Sequence, residues 1–362
     1  MAGGLDAGAM AAAHAHLDRL TKPLGSLGRL EELCVWLAGV TGDPRPSFER
    51  RTILVAAADH GVVAQGVSAW PSEVTAQMVG NYLAGRAAIS VLARLARAEL
   101  VVLDVGVASE VPSSPAGASV ARLVRRRVAA GTADFSRQPA MTGAEVETAI
   151  AAGAELMAEL VSNGTSIVAV GEMGIGNTTS ASAIVAALTG AAVGDVTGYG
   201  AGLDESGRRR KIAVIEAALE MHRPQRGDPL DVLAKVGGLE IAALVGAMHA
   251  AAERRVPIVL DGFITAAAAL VAVTMRPEIR HQLLAAHRSA ERGHAVALEE
   301  LRLRPLLELD LRLGEGTGAA LALLVIDAAI ALRDGMASFD EAGVGGPRHT
   351  AAHPDRQSND DD

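Results

Sequence analysis

Two glutamates sit in settings where a carboxylate can do chemistry. Glu315 lies in Leu313-Gly314-Glu315-Gly316-Thr317-Gly318, a short glycine-rich loop opening a strongly apolar stretch. Glycines on both sides let the backbone approach a ligand closely and leave the carboxylate uncrowded; capping the helix start that follows is the alternative. Glu172 lies in Thr165–Gly190, TSIVAVGEMGIGNTTSASAIVAALTG. There an apolar β-type run, Ile167–Val170, enters a loop with glycines at 171, 174 and 176, and Asn177, Thr178 and Thr179 open a helical stretch. A strand, a glycine turn and a helix start together gather backbone N–H groups at the positive end of a helix dipole, where phosphate or carboxylate binds. Gly171 and Gly176 have Walker A spacing, but Asn177 stands where that loop needs lysine, so the β/γ-phosphate clamp is missing. The order is not G-x-G-x-x-G either, which disfavours a dinucleotide. A single-phosphate site remains. An acid beside a phosphate is electrostatically awkward, so Glu172 is expected to face a hydroxyl or a ring N–H.

Other chemistry-bearing residues point less far. Asp59-His60-Gly61 looks like half a catalytic dyad, but no G-x-S-x-G nucleophile elbow occurs and the lone cysteine is elsewhere, so loop and helix-start hydrogen bonding is its expected job. His287 and His294 are seven apart with Glu291 between them. That is not H-E-x-x-H, and one cysteine allows no C-x-x-C, so no metal site and no cofactor are expected. Trp70-Pro71 and Tyr82 could wall a flat aromatic ligand or could simply pack in the core.

These residues need elements to hold them. Short apolar runs ending in an acid or glycine alternate with helical stretches: Thr52–Ala58, Leu100–Leu103, Ser166–Val170, Pro257–Leu260 and, more weakly, His281–Ala286. Such alternation predicts an α/β fold, a parallel sheet with helices on both faces (Rossmann-like), whose ligands sit beyond the carboxyl ends of the strands. Residues 11–40 read as helix with a Pro-Leu-Gly-Ser turn, an N-cap at Ser26 and an apolar face through Leu27, Leu30, Leu33 and Leu37. From about Leu303 the pattern becomes helical again. The expected division is a small helical domain from residues 1–47 and 303–342, a larger α/β domain over 48–302, and a disordered tail over 343–362.

The bulk composition bounds the rest. Half of the 362 residues are hydrophobic but only 2% are aromatic, so Ala, Val and Leu must fill the core. A net charge of −9 argues against nucleic acid as a partner. The runs Arg122–Arg127 and Arg208–Lys211 read as solvated faces beside acidic neighbours. Cys34 permits no internal disulfide and fits a reducing compartment. The N-terminus lacks a secretory pattern, and the longest apolar stretches, Phe263–Met275 and Ala319–Ile326, are too short to span a membrane. A soluble cytoplasmic protein with no membrane partner is expected.

Six segments then appear in order: LTKPLGSLGRLEEL, AADHGVVAQGVSAWPSEVTAQMV, GEMGIGNTT, VLDGFI, HRSAERGH and LRLGEGTGAA. Together, from about Leu20 to Asp334, they resemble the nicotinate-nucleotide–dimethylbenzimidazole phosphoribosyltransferase (CobT) family. The resemblance implies transfer of the 5-phosphoribosyl group of nicotinate mononucleotide to 5,6-dimethylbenzimidazole, giving α-ribazole 5′-phosphate and nicotinate for the nucleotide loop of cobalamin. It implies Glu315 as the general base and Glu172 as a secondary polar contact near the ribose or base. It places Ser68 and Gln77 in the benzimidazole pocket with Met173 and Leu313 as apolar walls. Gly174, Gly176, Asn177, Thr178, Lys211 and Ser289 are implied as the grip on the ribosyl phosphate. It also implies a homodimer with the site near the subunit interface. Two departures stand out. Gly198-Tyr199-Gly200-Ala201-Gly202 replaces a commoner Gly-Arg-Gly-Thr-Gly, removing an arginine and a hydroxyl, and Pro23-Leu24 replaces Pro-Pro.

Two rivals remain: a kinase- or ATPase-like phosphate binder, disfavoured by the missing loop lysine, and a catalytically inactive nucleotide-sensing homologue, kept open by the altered loop at 198–202. The favoured chemistry needs no metal ion. Turnover is therefore expected to survive chelation, and a strict magnesium requirement in the same assay would contradict it.

Overall fold

The computed structural model describes residues 4–112 and 121–345; all but the first three residues of the tail expected to be disordered lie outside them. Six parallel strands form the main sheet among these residues: β1 (Arg51–Ala58), β2 (Ala98–Gly106), β3 (Ala121–Arg125), β4 (Ile167–Met173), β5 (Ile258–Leu260) and β6 (Leu283–Ala285), in the order β3-β2-β1-β4-β5-β6. Two short strands, β7 (His287–Arg288) and β8 (Leu307–Glu308), pair beside it. The helices are α1 (Ala7–Arg19), α2 (Arg29–Thr41), α3 (Glu73–Leu83), α4 (Ala88–Leu95), α5 (Gly143–Ser162), α6 (Asn177–Thr189) and α7 (Val193–Val196). They continue with α8 (Glu205–His222), α9 (Pro229–Val236), α10 (Leu239–Glu253), α11 (Phe263–Met275), α12 (Arg292–Leu301), α13 (Thr317–Gly335) and α14 (Phe339–Ala342).

Successive strand residues point to opposite faces, and both faces are covered. Leu54, Ala56, Val101, Leu103, Val168 and Val170 pack under α5, α6, α9, α10 and α11. Their alternates Ile53, Val55, Leu100, Val102, Ile167 and Ala169 pack under α1, α2, α3, α4 and α13. A sheet buried on both sides explains why these strands read as continuous apolar runs. The two chain ends meet on the second face: Cys34 Sγ donates to Ala329 O at 3.4 Å, His16 Nε2 lies 2.9 Å from Arg333 O, and buried Arg333 donates to Pro46 O at 3.0 Å. Burial raises the Cys34 thiol to about 11, which leaves it unreactive.

Several local expectations are corrected. Residues 11–40 are two helices. The first starts at Ala7 behind the Asp6 cap, and the second is preceded by Gly28 at φ 52° rather than capped by Ser26. The Glu31 side chain takes over by accepting from Leu27 N at 2.9 Å while pairing with buried Lys22. Part of the Arg122–Arg127 run is edge strand β3, where Arg122 pairs with Glu99 and Glu159, and Arg126 just beyond it pairs with Glu155 and Glu159. The strand is only five residues long and carries two arginines, so its sequence gives little strand signal. Residues 303–316 are not helical: Leu307, Leu309 and Leu311 repeat with period two, and α13 begins only at Thr317.

Small residues let α5 and α10 approach closely. A Cβ on Gly153 would collide with the Ala243 carbonyl, and one on Gly246 with the Ile150 carbonyl. Gly246→Leu is therefore expected to destabilise the fold by roughly 1–3 kcal/mol or more through overpacking, read as a lowered denaturation midpoint; an unchanged midpoint would contradict the packing.

Candidate active site

The sheet order reverses direction between β1 and β4, and an open α/β sheet has its crevice beyond the carboxyl ends of such strands. A cavity of about 320 Å³ lies there. Its walls come from α3 (Val74 and Met78), the end of β4 and the turn after it (Glu172 to Ile175, Asn177, Thr178), the β5–α11 link (Gly262 to Ile264) and the loop before α13 (Arg312 to Glu315). His287, Ser289 and Glu291 line it from β7 and the segment after it, and Trp70, Gly200 and Ala201 from the mouth.

The turn at residues 174–178 feeds directly into α6. Strand β4 runs three residues beyond the expected Val170, so Glu172 and Met173 are strand residues projecting at the cavity. Gly176, at φ 93°, occupies the cap position, where a side chain would be strained. Ile175 N donates to Thr75 Oγ1 at 3.1 Å, tying the turn to α3. Lys211 on α8 is fully buried and donates from Nζ to Thr178 Oγ1 at 2.6 Å. Burial lowers its pKa to about 8, partly opposed by Glu291, so a cation stands behind the turn at neutral pH. Ser289 N donates to His294 Nδ1 at 2.9 Å. Burial beside His287 drives His294 down to about 3, keeping it a neutral acceptor.

The second half of the site is a left-handed loop. Gly314, Glu315 and Gly316 have φ of 80°, 66° and 91°, and a non-glycine residue in that region is strained. Asp261, at the end of β5, holds the strained loop: Oδ2 accepts from Gly316 N and Oδ1 from Ala319 N, each at 3.0 Å. Gly171 completes the fit, because a Cβ there would stand 2.5 Å from Gly316 N. Glu315 is thus fixed at the cavity wall with 5% of its surface exposed. Its Oε2 has no hydrogen-bond partner, although the buried Tyr82 hydroxyl lies close by. Burial, aided by the Asp261 charge and opposed by Tyr82, raises Glu315 to about 7. Glu172 is raised further, to about 8, by burial and the charges of Glu240 and Asp261, although Asn177 Nδ2 donates to its Oε2. At neutral pH Glu172 is mostly protonated, which removes the electrostatic conflict with an anion at the turn.

Among the sequence-derived residues, Glu172, Met173, Gly174, Asn177, Thr178, Ser289, Leu313 and Glu315 line one cavity, with Gly176 and Lys211 directly behind it. Ser68 and Gln77 do not. Gln77 is on the exposed side of α3, whose Val74 and Met78 face the cavity instead, and Ser68 Oγ accepts from Trp70 N at 3.0 Å. Trp70 takes the wall position, its indole donating to Ala201 O at 2.8 Å, whereas Tyr82 is core. In the altered loop, Tyr199 donates to Glu205 and lies under Arg208, while Gly200 and Ala201 reach the cavity. The structure also adds Asp261, whose signal was an acid at a strand end. Arg312 joins the lining with no comparable cue, and His287, weighed in the sequence only as a metal ligand, lines it too.

A phosphoribosyltransferase family model matches residues 3–344. The nicotinate-nucleotide–dimethylbenzimidazole phosphoribosyltransferase of Roseiflexus sp. (strain RS-1) is 55% identical over 344 residues, covering 95% of this chain and 96% of its own. The protein of that name from Chloroflexus aggregans is 54% identical over 342 residues, covering 94% and 95%. The crystal structure of the Thermus thermophilus enzyme of this name superposes with a TM-score of 0.87 at 47% identity, covering 95% of this chain and 100% of that one. The chain belongs to the nicotinate-nucleotide–dimethylbenzimidazole phosphoribosyltransferase family. For a phosphoribosyltransferase of this family, an anion-sized turn and an apolar slot with a carboxyl at its edge are the two binding halves the reaction requires.

The raised Glu172 pKa has a consequence for stability. The folded state holds this proton up to about pH 8, whereas an unfolded glutamate releases it near pH 4.3. The fold therefore loses stability as pH rises between those values. Glu172→Gln keeps an acceptor for Asn177 and removes the titration. Thermal denaturation should show the variant gaining on wild type by a few degrees between pH 6 and 9; a constant difference would contradict the buried proton.

Proposed function

We propose that the cavity transfers the 5-phosphoribosyl group of nicotinate mononucleotide to 5,6-dimethylbenzimidazole with inversion at the anomeric carbon, yielding α-ribazole 5′-phosphate and nicotinate. The observation that carries this reading is Glu315: a buried carboxyl, raised to about 7, that lines an apolar slot. The leaving pyridinium departs with its ring neutralised and needs no proton. The incoming benzimidazole attacks through one ring nitrogen, and the proton on its other nitrogen must leave. The Glu315 carboxylate, which lines the slot, is the acceptor for that proton. As the new C–N bond forms, the nicotinate C–N bond breaks and its electron pair returns to the pyridine ring.

The remaining residues position the two rings. Met173, Met78, Val74 and Leu313 supply apolar walls for the benzimidazole, with Trp70 at the mouth. The turn at 174–178, Lys211 and Ser289 hold the ribosyl phosphate. Protonated Glu172 offers an O–H between the halves without opposing the phosphate charge. Holding both rings in line across one sugar carbon converts the reaction into a positioning problem. Exposed Leu24, Val91 and Leu95, the last two one turn apart on α4, support a homodimer. No helix among the described residues is long and apolar enough to cross a membrane. The one cysteine is a free, buried thiol, which supports a cytoplasmic setting.

The test is incubation of the pure protein with both substrates and chromatography for α-ribazole phosphate and nicotinate. ATP hydrolysis, or ligand binding without product, would contradict the reading. Because Glu315 must be ionised to accept a proton, kcat/KM is expected to rise with pH through about 7. Glu315→Gln should retain nicotinate mononucleotide binding, lose roughly 10²–10⁴-fold in kcat and lack that limb. Near-normal turnover in the variant would remove Glu315 from its role.

A further inference from the structure

The reaction described leaves one buried constellation unused. His60 follows β1 closely, and its side chain is wholly inaccessible, as is that of Glu240. His60 Nε2 lies 2.7 Å from Glu240 Oε1 in the first turn of α10, and Nδ1 lies 3.0 Å from Ser180 Oγ in the first turn of α6. The ring does not reach the cavity. It lies instead against the back of the 174–178 turn. A Cβ on Gly174 would stand 3.3 Å from the imidazole Cδ2 and Nε2, and one on Gly176 would stand 3.4 Å from His60 Cβ. On the far side, a Cβ on Gly238 would collide with His60 Cε1 and stand 2.8 Å from Glu240 Oε2. Gly174 and Gly238 therefore bracket the imidazole, with Gly176 beside its Cβ; the tightest limits on the turn itself come from Ala58 O at Gly174 and Val63 at Gly176, each 2.5 Å from an added Cβ.

We propose that His60, braced by Glu240 and Ser180, is a positioning residue that sets the height and tilt of the 174–178 turn against the ribosyl phosphate. Ser180 belongs to the helix the turn opens, so the Nδ1 contact fixes that helix relative to β1. Glu240 sits at a helix N-terminus, a setting that favours a carboxylate, and its bond to Nε2 locks the ring plane. A buried, hydrogen-bonded imidazole has few alternative rotamers, which suits a spacer under a turn that must meet an anion to within a fraction of an ångström. The proposal rests on the reading that this turn holds the phosphate.

The test measures KM for nicotinate mononucleotide, KM for dimethylbenzimidazole, and the dissociation constant of inorganic phosphate by direct titration. His60→Ala should weaken phosphate and nicotinate mononucleotide about tenfold or more, in the range of misplaced binding groups, with KM for dimethylbenzimidazole within about twofold. His60→Gln, whose amide reaches the Nε2 position, should recover part of that loss. Ser180→Ala removes one contact only and should weaken phosphate about threefold even if His60→Ala fails to fold. Unchanged phosphate binding in folded Ser180→Ala, or equal rises in both KM values, would overturn the proposal. Should wild type bind phosphate yet form no product from the two substrates, the functional reading fails while the phosphate constants still decide the role of His60.

Discussion

Two backbone amides, those of Gly316 and Ala319, donate to the Asp261 carboxyl, and this clamp keeps three consecutive residues in left-handed backbone. Without it the loop at 314–316 has no reason to hold a glutamate at φ 66°, a conformation that costs on the order of 1 kcal/mol. The clamp ties the end of β5 to the start of α13, so the strain at Glu315 is borne by the sheet. Gly171 on β4 passes so close that only hydrogen fits between strand and loop. The Glu315 carboxyl is therefore positioned by the buried centre of the sheet, while the groups around it (Trp70, Leu313, Arg312) are more exposed.

Burial supplies the second constraint. Four acidic side chains, Glu172, Glu240, Asp261 and Glu315, are buried in this region, and their mutual charge adds to desolvation. The groups respond differently because their partners differ. Asp261 has two amide donors and His287 3.7 Å away, Glu172 has one amide from Asn177, and Glu315 has the nearby Tyr82 hydroxyl and the Ile89 backbone. Of the two carboxyls lining the slot, Glu315, raised to about 7, is the one suited to accept a proton from a ligand, and Glu172 beside the turn, raised to about 8, is mostly protonated. Lys211, lowered by burial but paired with Thr178, supplies positive charge on the opposite side of that turn.

Much of this was legible in the residues because it depended on local pattern. Apolar runs ending in an acid or glycine marked the carboxyl ends of β1, β2, β4 and β5, and glycines flanking Glu315 marked a close backbone approach. What escaped depended on tertiary context. Strand β3 has five residues at a sheet edge and carries Arg122, whose partners come from α5 and β2. The stretch before α13 alternates with period two, but its leucines read equally as helix until the chain is folded. Asp261 and His60 act on backbone far away in sequence, Gly316 and Gly174, so no spacing rule announces them. Ser68 and Gln77 lie outside the single-chain cavity, since α3 turns Val74 and Met78 toward it.

The central claim is that Glu315 is a buried base poised near neutrality. A carboxyl-carbon NMR titration with labelled glutamate, assigned by difference from Glu315→Gln, measures this in the resting enzyme. The account expects the Glu315 signal to titrate near pH 7 and to move when dimethylbenzimidazole binds. A midpoint near the ordinary glutamate value of about 4.3, indifferent to that ligand, would contradict it.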